Sequence, residues 1–70
     1  MKTTDREQIF AKRLKEMRKK RGITQTELAE KCMFAKSVVS LMESQKIIPS
    51  LGTVNFIAKK LDCEIYDLLT

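Results

Sequence analysis

The stretch from Thr24 to Glu43, TQTELAEKCMFAKSVVSLME, decides the fold, because it has the pattern of two short amphipathic helices joined by a tight turn. Thr24 and Glu27 have the spacing of a capping box, in which each side chain accepts a hydrogen bond from the other residue's backbone N–H. Apolar side chains then recur at helical spacing in both halves of the stretch: Leu28, Ala29 and Cys32 in the first, and Val38, Val39 and Met42 in the second. Helices this short are marginal in isolation, so the rest of the chain must supply their packing partners.

The flanking sequence predicts three further helices. Thr4 and Glu7 have the spacing of another capping box, and Gly22 suits the left-handed residue that follows a helix. Ser50, after Pro49, can cap a helix whose buried apolar stripe is expected to be Leu51, Val54, Ile57, Ala58 and Leu61. We therefore expect an all-α fold in which residues 1–70 form a single domain, with helices over about 5–21, 25–32, 36–43, 51–61 and 65–69.

The charge balance favours a polyanionic partner. The chain of 70 residues carries 14 basic and 9 acidic side chains, for a formal charge of +5. Seven of the basic residues lie between Lys12 and Arg21, beside a single acid, Glu16. Such a run suits nucleic-acid phosphates, although a solvated helix face has the same composition. The sequence has no histidine and no phosphate-loop or nucleophile motif, so an enzyme is not expected.

The two cysteines, Cys32 and Cys63, occupy apolar positions of helical patterns, where a free thiol behaves as a small hydrophobe. Their spacing is not that of a metal or redox motif. The first residues form neither a secretory signal nor the start of a membrane span. We therefore expect a cytoplasmic protein without a disulfide, metal, cofactor, membrane partner or small-molecule effector.

The motifs, taken in order, resemble the helix-turn-helix domain of phage repressors and Cro, the Xre family of transcriptional regulators. The two ends of the central stretch, Gln25-Thr-Glu-Leu-Ala29 and Val39-Ser-Leu-Met-Glu43, carry this resemblance. It continues in Leu14-Lys-Glu-Met-Arg18, Gly22-Ile-Thr24, Pro49-Ser50, Ala58-Lys-Lys-Leu61 and Asp67-Leu68-Leu69. The resemblance implies a compact five-helix repressor-like domain that binds double-stranded DNA and regulates transcription, with the helix-turn-helix formed by helices 2 and 3.

By this resemblance, the outward face of helix 3 enters the major groove of DNA. We expect base contacts from Lys36, Ser37, Val38, Ser40 and Leu41. Lysine can reach guanine O6 and N7, serine hydroxyls can donate or accept, and apolar side chains can touch a thymine methyl. Without the resemblance, the same face is an ordinary solvated helix surface.

The resemblance also implies contacts to the DNA backbone. We expect phosphate contacts from Gln25 at the start of helix 2, from Lys46 in the loop after helix 3, and from Arg18. The alternative for Gln25 is that it only fills a helix N-terminus. Arg18 is further expected to pair with Glu43, which would tie helix 1 to the end of the DNA-reading helix.

Three positions depart from the family pattern. Met33 stands where glycine is usual because φ is positive there, and Ala35 stands where a Ser or Thr cap is usual. Each replacement is expected to cost on the order of 1 kcal/mol. Gln45 also replaces a usual glycine, so we expect the loop backbone to differ at that point.

An exposed apolar surface is predicted on the second half of the chain. Phe56 points nearly opposite the apolar stripe of helix 4, and Ile47, Ile48 and Tyr66 are candidates to join it in a self-association surface. The alternative is that Phe56 folds back under the chain end. A two-fold homodimer would place two reading helices about 34 Å apart on a near-palindromic operator, where we expect repression.

Two other functions remain open at this stage. A protein-binding module, such as an antitoxin or adaptor, would use the apolar surface around Phe56 to bind a protein partner. A non-specific or RNA-binding protein would use the basic helix 1 instead. The scarcity of aromatic residues argues against recognition of RNA or single strands.

Overall fold

The computed structural model describes residues 5–70, with side chains from residue 8 onward. These residues contain five helices joined by short loops. They are α1 (Asp5–Lys20), α2 (Gln25–Cys32), α3 (Lys36–Glu43), α4 (Leu51–Lys60) and α5 (Tyr66–Leu69), and no strand occurs among these residues. The expected bounds differ from these by at most one residue. The all-α fold class is therefore confirmed, whereas the capping box expected at Thr4 and Glu7 lies outside the described residues.

Local hydrogen bonds explain where two of the helices begin. The Thr24 hydroxyl accepts from the Glu27 N–H at 3.0 Å, and the Glu27 carboxylate accepts from the Thr24 N–H at 2.8 Å. This reciprocal pair is the predicted capping box of α2. Ser50 caps α4 by accepting from the Thr53 N–H at 3.3 Å. Ala35 has no side chain that could make such a bond, so α3 begins without a side-chain cap.

A residue in the left-handed region follows each of the first four helices. These residues are Gly22 (φ 70°), Met33 (φ 59°), Gln45 (φ 66°) and Asp62 (φ 58°). The positive φ expected at Met33 is confirmed. Gln45 takes a positive φ, which glycine would favour. The expected difference of its loop backbone from the family stays a prediction. Three of these four helix ends therefore place a side chain in a conformation that costs energy.

One core lies between the helices. Its buried apolar side chains are Phe10, Ala11, Leu14, Leu28, Ala29, Cys32, Val39, Met42, Val54, Ile57, Ala58, Leu61 and Leu68. Packing against this core joins α2 to α3, α1 to both α3 and α5, and α4 to α2 and α5. Leu51 is 63% exposed, so its expected place in the core is wrong. It is the first residue of α4, and the core contacts of that helix begin one turn later, at Val54.

Both thiols are free. Cys32 lies in the core and Cys63 is half-buried. Burial raises the pKa of the Cys32 thiol, although Lys60 and Lys31 partly oppose that shift. None of the helices described here has the length and apolar character needed to cross a bilayer.

Candidate nucleic-acid interface

A buried ionic cluster joins the first three helices at the last residue of α3. Arg18 Nε donates to Glu43 Oε2 at 2.7 Å, and Arg18 Nη2 donates to Glu43 Oε1 at 3.1 Å. Gln25 Nε2 adds a third bond to Glu43 Oε1, also at 3.1 Å. The side chains of the ion pair are only 10% and 4% exposed. Glu43 therefore fixes the C-terminal end of α3 to α1 and to the start of α2.

This cluster stabilises the charged form of Arg18. Its hydrogen bonds and charge interaction with Glu43 raise the pKa of the guanidinium, against the opposing effect of burial. Arg18 Nη1 also donates to the Ile23 carbonyl at 3.0 Å, which draws the loop between α1 and α2 into the same cluster. Arg18 is only 8% exposed and is bound to these partners, although it also lines the groove described below. The phosphate contact expected of Arg18 stays a prediction.

The outward face of α3 carries four of the expected base-contact residues. Lys36, Ser37, Ser40 and Leu41 are exposed, with Leu41 at 39%. Val38 is half-buried and packs against the core, which places it at the edge of the face. The opposite side of the helix, formed by Val39 and Met42, is buried. A small, polar face with one cation is thus presented outward from a helix whose other side is held by the core.

An open groove lies between the end of α1, the start of α2 and the start of α3. Its lining includes Lys19, Gln25, Thr26 and Lys36. The first backbone N–H groups of α2 point out of the helix start, as at any helix N-terminus, and their partial positive charge favours an anion. Two lysine side chains and this helix end therefore face a common concave surface, which has the charge to hold a phosphate group.

Lys19 is a cation of this groove to which the sequence pattern assigned no specific role. It appeared only as one member of a basic run, because nothing local distinguishes it from its neighbours. Lys46 is exposed in the loop after α3, as expected, and its N–H donates to the Leu41 carbonyl at 2.8 Å. That bond folds the loop back onto the C-terminal end of α3.

The four expected dimer-interface residues are all exposed: Ile48 at 47%, Ile47 and Phe56 at 38% each, and Tyr66 at 70%. The Phe56 ring lies 6.1 Å from that of Phe34, in the turn before α3, and Lys60 Nζ lies 5.2 Å from the Phe56 centroid. Phe56 therefore packs on the turn and not under the chain end. In the described part of the chain no ring contact joins Phe56 to Tyr66.

Comparison with known proteins finds a family match and two solved structures with the same fold. The HTH_3 family, described as helix-turn-helix, matches residues 14–68. A solved hypothetical transcription factor from Neisseria, NHTF, is 27% identical, with a TM-score of 0.90 over 94% of this chain and 76% of its own. An HTH_3 family transcriptional regulator from Vibrio cholerae, 24% identical, shares the fold with a TM-score of 0.84 over 90% of this chain and 35% of its own. No curated protein matches the chain.

Proposed function

The chain belongs to the HTH_3 helix-turn-helix family, and from that premise we propose that it represses transcription as a homodimer bound to a near-palindromic operator. Membership of this family makes the chain a DNA-binding transcriptional regulator and not an enzyme. The proposal adds the sign of regulation, the oligomeric state and the residues that touch DNA.

The observation that carries the proposal is the outward face of α3, held in place by the Glu43 cluster. Sequence-specific recognition requires side chains that reach base edges in the major groove from a fixed helix. Lys36, Ser37, Ser40 and Leu41 offer a cation, two hydroxyls and an apolar tip on one such face. Val38 borders them, and in this proposal it touches a thymine methyl.

Contacts to the DNA backbone set the affinity in this proposal, and the groove beside α2 supports them. Gln25 uses one amide N–H for Glu43, and the first turn of α2 supplies backbone N–H groups to a phosphate. Lys46 lies exposed on the loop at the other end of α3. Phosphate contacts on both sides of α3 would fix its register in the groove.

A second copy of the chain is the partner that the proposal requires. Half-sites one helical turn apart place two copies side by side on DNA. The candidate contacts are Ile47, Ile48, Phe56 and Tyr66, and Leu51 is a further exposed apolar side chain. Sedimentation across a range of concentrations tests this part. A chain that stays monomeric at high micromolar concentration, with or without Phe56→Lys, would exclude the proposed self-association in the absence of DNA.

Selection of binding sites from a random duplex library tests the function as a whole. We expect a near-palindromic winner, bound about a thousandfold more tightly than a scrambled duplex. The double variant Lys36→Ala/Ser37→Ala should lose this preference and still unfold at the wild-type urea concentration. Asn55→Ala/Lys59→Ala, which removes two exposed side chains from α4, is the matched control and should bind the winner normally.

Either of two other results would contradict the proposal and indicate a different function. Binding without any sequence preference, together with a steep salt dependence, would indicate a DNA-coating domain. An absence of DNA binding even at low salt would indicate a protein-binding module such as an antitoxin or adaptor. In that case the apolar residues around Phe56 would be the working surface, and Lys36→Ala/Ser37→Ala would bind the protein partner normally.

A further inference from the structure

The basic run of α1 separates into two groups in the folded chain. Each arginine of the run is bound to another part of the protein: Arg13 to Glu16 and the Thr70 carbonyl, Arg18 to Glu43, and Arg21 to the carbonyls of Leu61 and Asp62. The lysines of the run, Lys12, Lys15, Lys19 and Lys20, are exposed and make no ion pair or hydrogen bond within residues 8–70. The arginines support the fold, and the lysines present unneutralised charge to solvent.

Three of these lysines form one line on the helix surface. At roughly 100° per residue, Lys12, Lys15 and Lys19 fall within an arc of roughly 60°. We call these three residues the lysine stripe. From its first to its last residue the stripe extends for about 10 Å along α1, which matches the rise of about three base pairs of duplex DNA.

The stripe is continuous with the proposed DNA-binding surface. Lys19 lines the same groove as Gln25, Thr26 and Lys36. Lys15 and Lys12 follow it, one and two turns towards the start of α1. A DNA backbone bound in the groove at α2 would therefore lie close to Lys19, and its continuation along α1 would pass Lys15 and Lys12.

We propose that the lysine stripe binds phosphates of duplex DNA that flanks the operator half-site, so that it lengthens the footprint without reading sequence. This inference rests on the proposed function, because the stripe can reach flanking DNA only when α3 lies in the major groove. Lysine suits this role, since a flexible, strongly hydrated ammonium group neutralises a phosphate without requiring a fixed geometry.

DNA fits this surface better than an acidic protein does. Protein interfaces draw most of their binding energy from buried aromatic, Arg or other large side chains. None of the exposed large hydrophobic side chains of the described chain lies on α1. Among the α1 side chains that the structure describes, Gln8 and the acid Glu16 are exposed beside the stripe, and neither is apolar. A row of solvated cations with no apolar anchor is typical of phosphate contacts.

Salt dependence of DNA binding measures the contribution of the stripe. The test compares wild type with Lys12→Gln/Lys15→Gln and leaves Lys19 and the groove intact. The control, Lys31→Gln/Lys59→Gln, makes the same change in net charge with two exposed lysines at the C-terminal ends of α2 and α4. Each protein is titrated with the selected duplex and with a scrambled duplex, both extended by about one helical turn, or 10 bp, beyond the site.

We expect the slope of log K against log[salt] to fall by about 2 for the stripe variant, since each phosphate contact contributes about 0.9. The loss in affinity should be equal for the selected and scrambled duplexes. It should also disappear when the selected duplex is trimmed to the ends of the site. An unchanged slope, an equal fall in the control, or a loss that persists on the trimmed duplex would each overturn the proposal.

These results also separate the two proposals. If wild type prefers no sequence, the proposed function fails whatever the variants do. If wild type prefers the palindrome and the stripe variant keeps its salt slope, only the stripe proposal fails. Tighter binding of an acidic protein than of DNA, lost in the stripe variant, would assign the stripe to a protein partner.

Discussion

Arg18 and Glu43, separated by 25 positions in the sequence, form a two-point ion pair that fixes the last residue of α3 against α1. Because the pair is buried, removal of one partner leaves the other charge without compensation. We expect Arg18→Met to lower the free energy of unfolding by about 3 kcal/mol, measured by urea denaturation.

The matched control removes both charges. Arg18→Met/Glu43→Leu should recover most of the lost stability, since buried ion pairs are often no more stable than apolar side chains of similar volume. Recovery of stability without recovery of DNA binding would show that the pair orients α3. A double variant as unstable as the single one would contradict this account.

Met33 offers a stabilising substitution. Its φ is 59° and its side chain is 91% exposed, so the side chain packs against nothing while the backbone bears the strain. We expect Met33→Gly to raise the free energy of unfolding by about 1 kcal/mol, partly offset by the greater freedom of glycine in the unfolded chain. Met33→Ala, which keeps a Cβ at positive φ, should leave the stability near that of wild type. Equal gains from both variants would refute the strain argument.

The start of α3 has no side-chain cap, so adding one there should also increase the stability of the protein. Ala35 has the extended backbone of an N-cap residue, with φ −69° and ψ 147°, but no side chain to accept a hydrogen bond. Ala35→Ser should therefore raise the thermal midpoint by an amount that corresponds to about 1 kcal/mol. Thr24→Ala, which removes the observed cap of α2, should lower it by a similar amount. If Ala35→Ser has no effect while Thr24→Ala destabilises, packing alone already satisfies the start of α3.

The Cys32 thiol makes stability depend on pH in the alkaline range. Burial raises the pKa of this thiol above its ordinary value of about 9. The unfolded chain therefore loses the proton first, and the contribution of Cys32, fully present below pH 9, is lost as pH rises towards the higher pKa of the folded state. The difference in unfolding free energy between wild type and Cys32→Ala should shrink from pH 8 to pH 10.5. A constant difference over that range would show that Cys32 does not titrate there.

Lys36 and Lys46 should have distinguishable effects on DNA binding under the proposed function. Lys36→Ala should relax the preference at one base pair by about 1–3 kcal/mol, because it removes a base contact. Lys46→Ala should weaken binding to every duplex alike and reduce the salt slope by about 1. Affinities for a set of single-base operator variants separate the two. Identical profiles for both variants would assign both lysines to the same kind of contact.

Local sequence determined where the helices lie. The signals that bound the helices are local: the capping box of Thr24 and Glu27, the cap at Ser50, and Gly22. Each lies within a few residues of the helix end that it sets. Apolar periodicity also predicted correctly which faces of α2 and α3 are buried, because that pattern lies within each helix. The prediction failed at Leu51, where periodicity indicates a buried position but this first residue of α4 is exposed.

The family resemblance implied the Arg18–Glu43 pair, which the structure contains. Only the tertiary structure decided what the other residues of the basic run do. Arg13, Arg18 and Arg21 bind partners 57, 25 and 40 positions away, respectively, and Lys19 joins a groove made by three helices. In the sequence these residues belong to one uniform run. Hydrogen bonds and ion pairs act over a few ångströms, so the packing of the helices determines which charges are neutralised inside the protein. The sequence by itself thus determined the helices and the family. The fold decided which cations support α3 and which remain exposed for DNA.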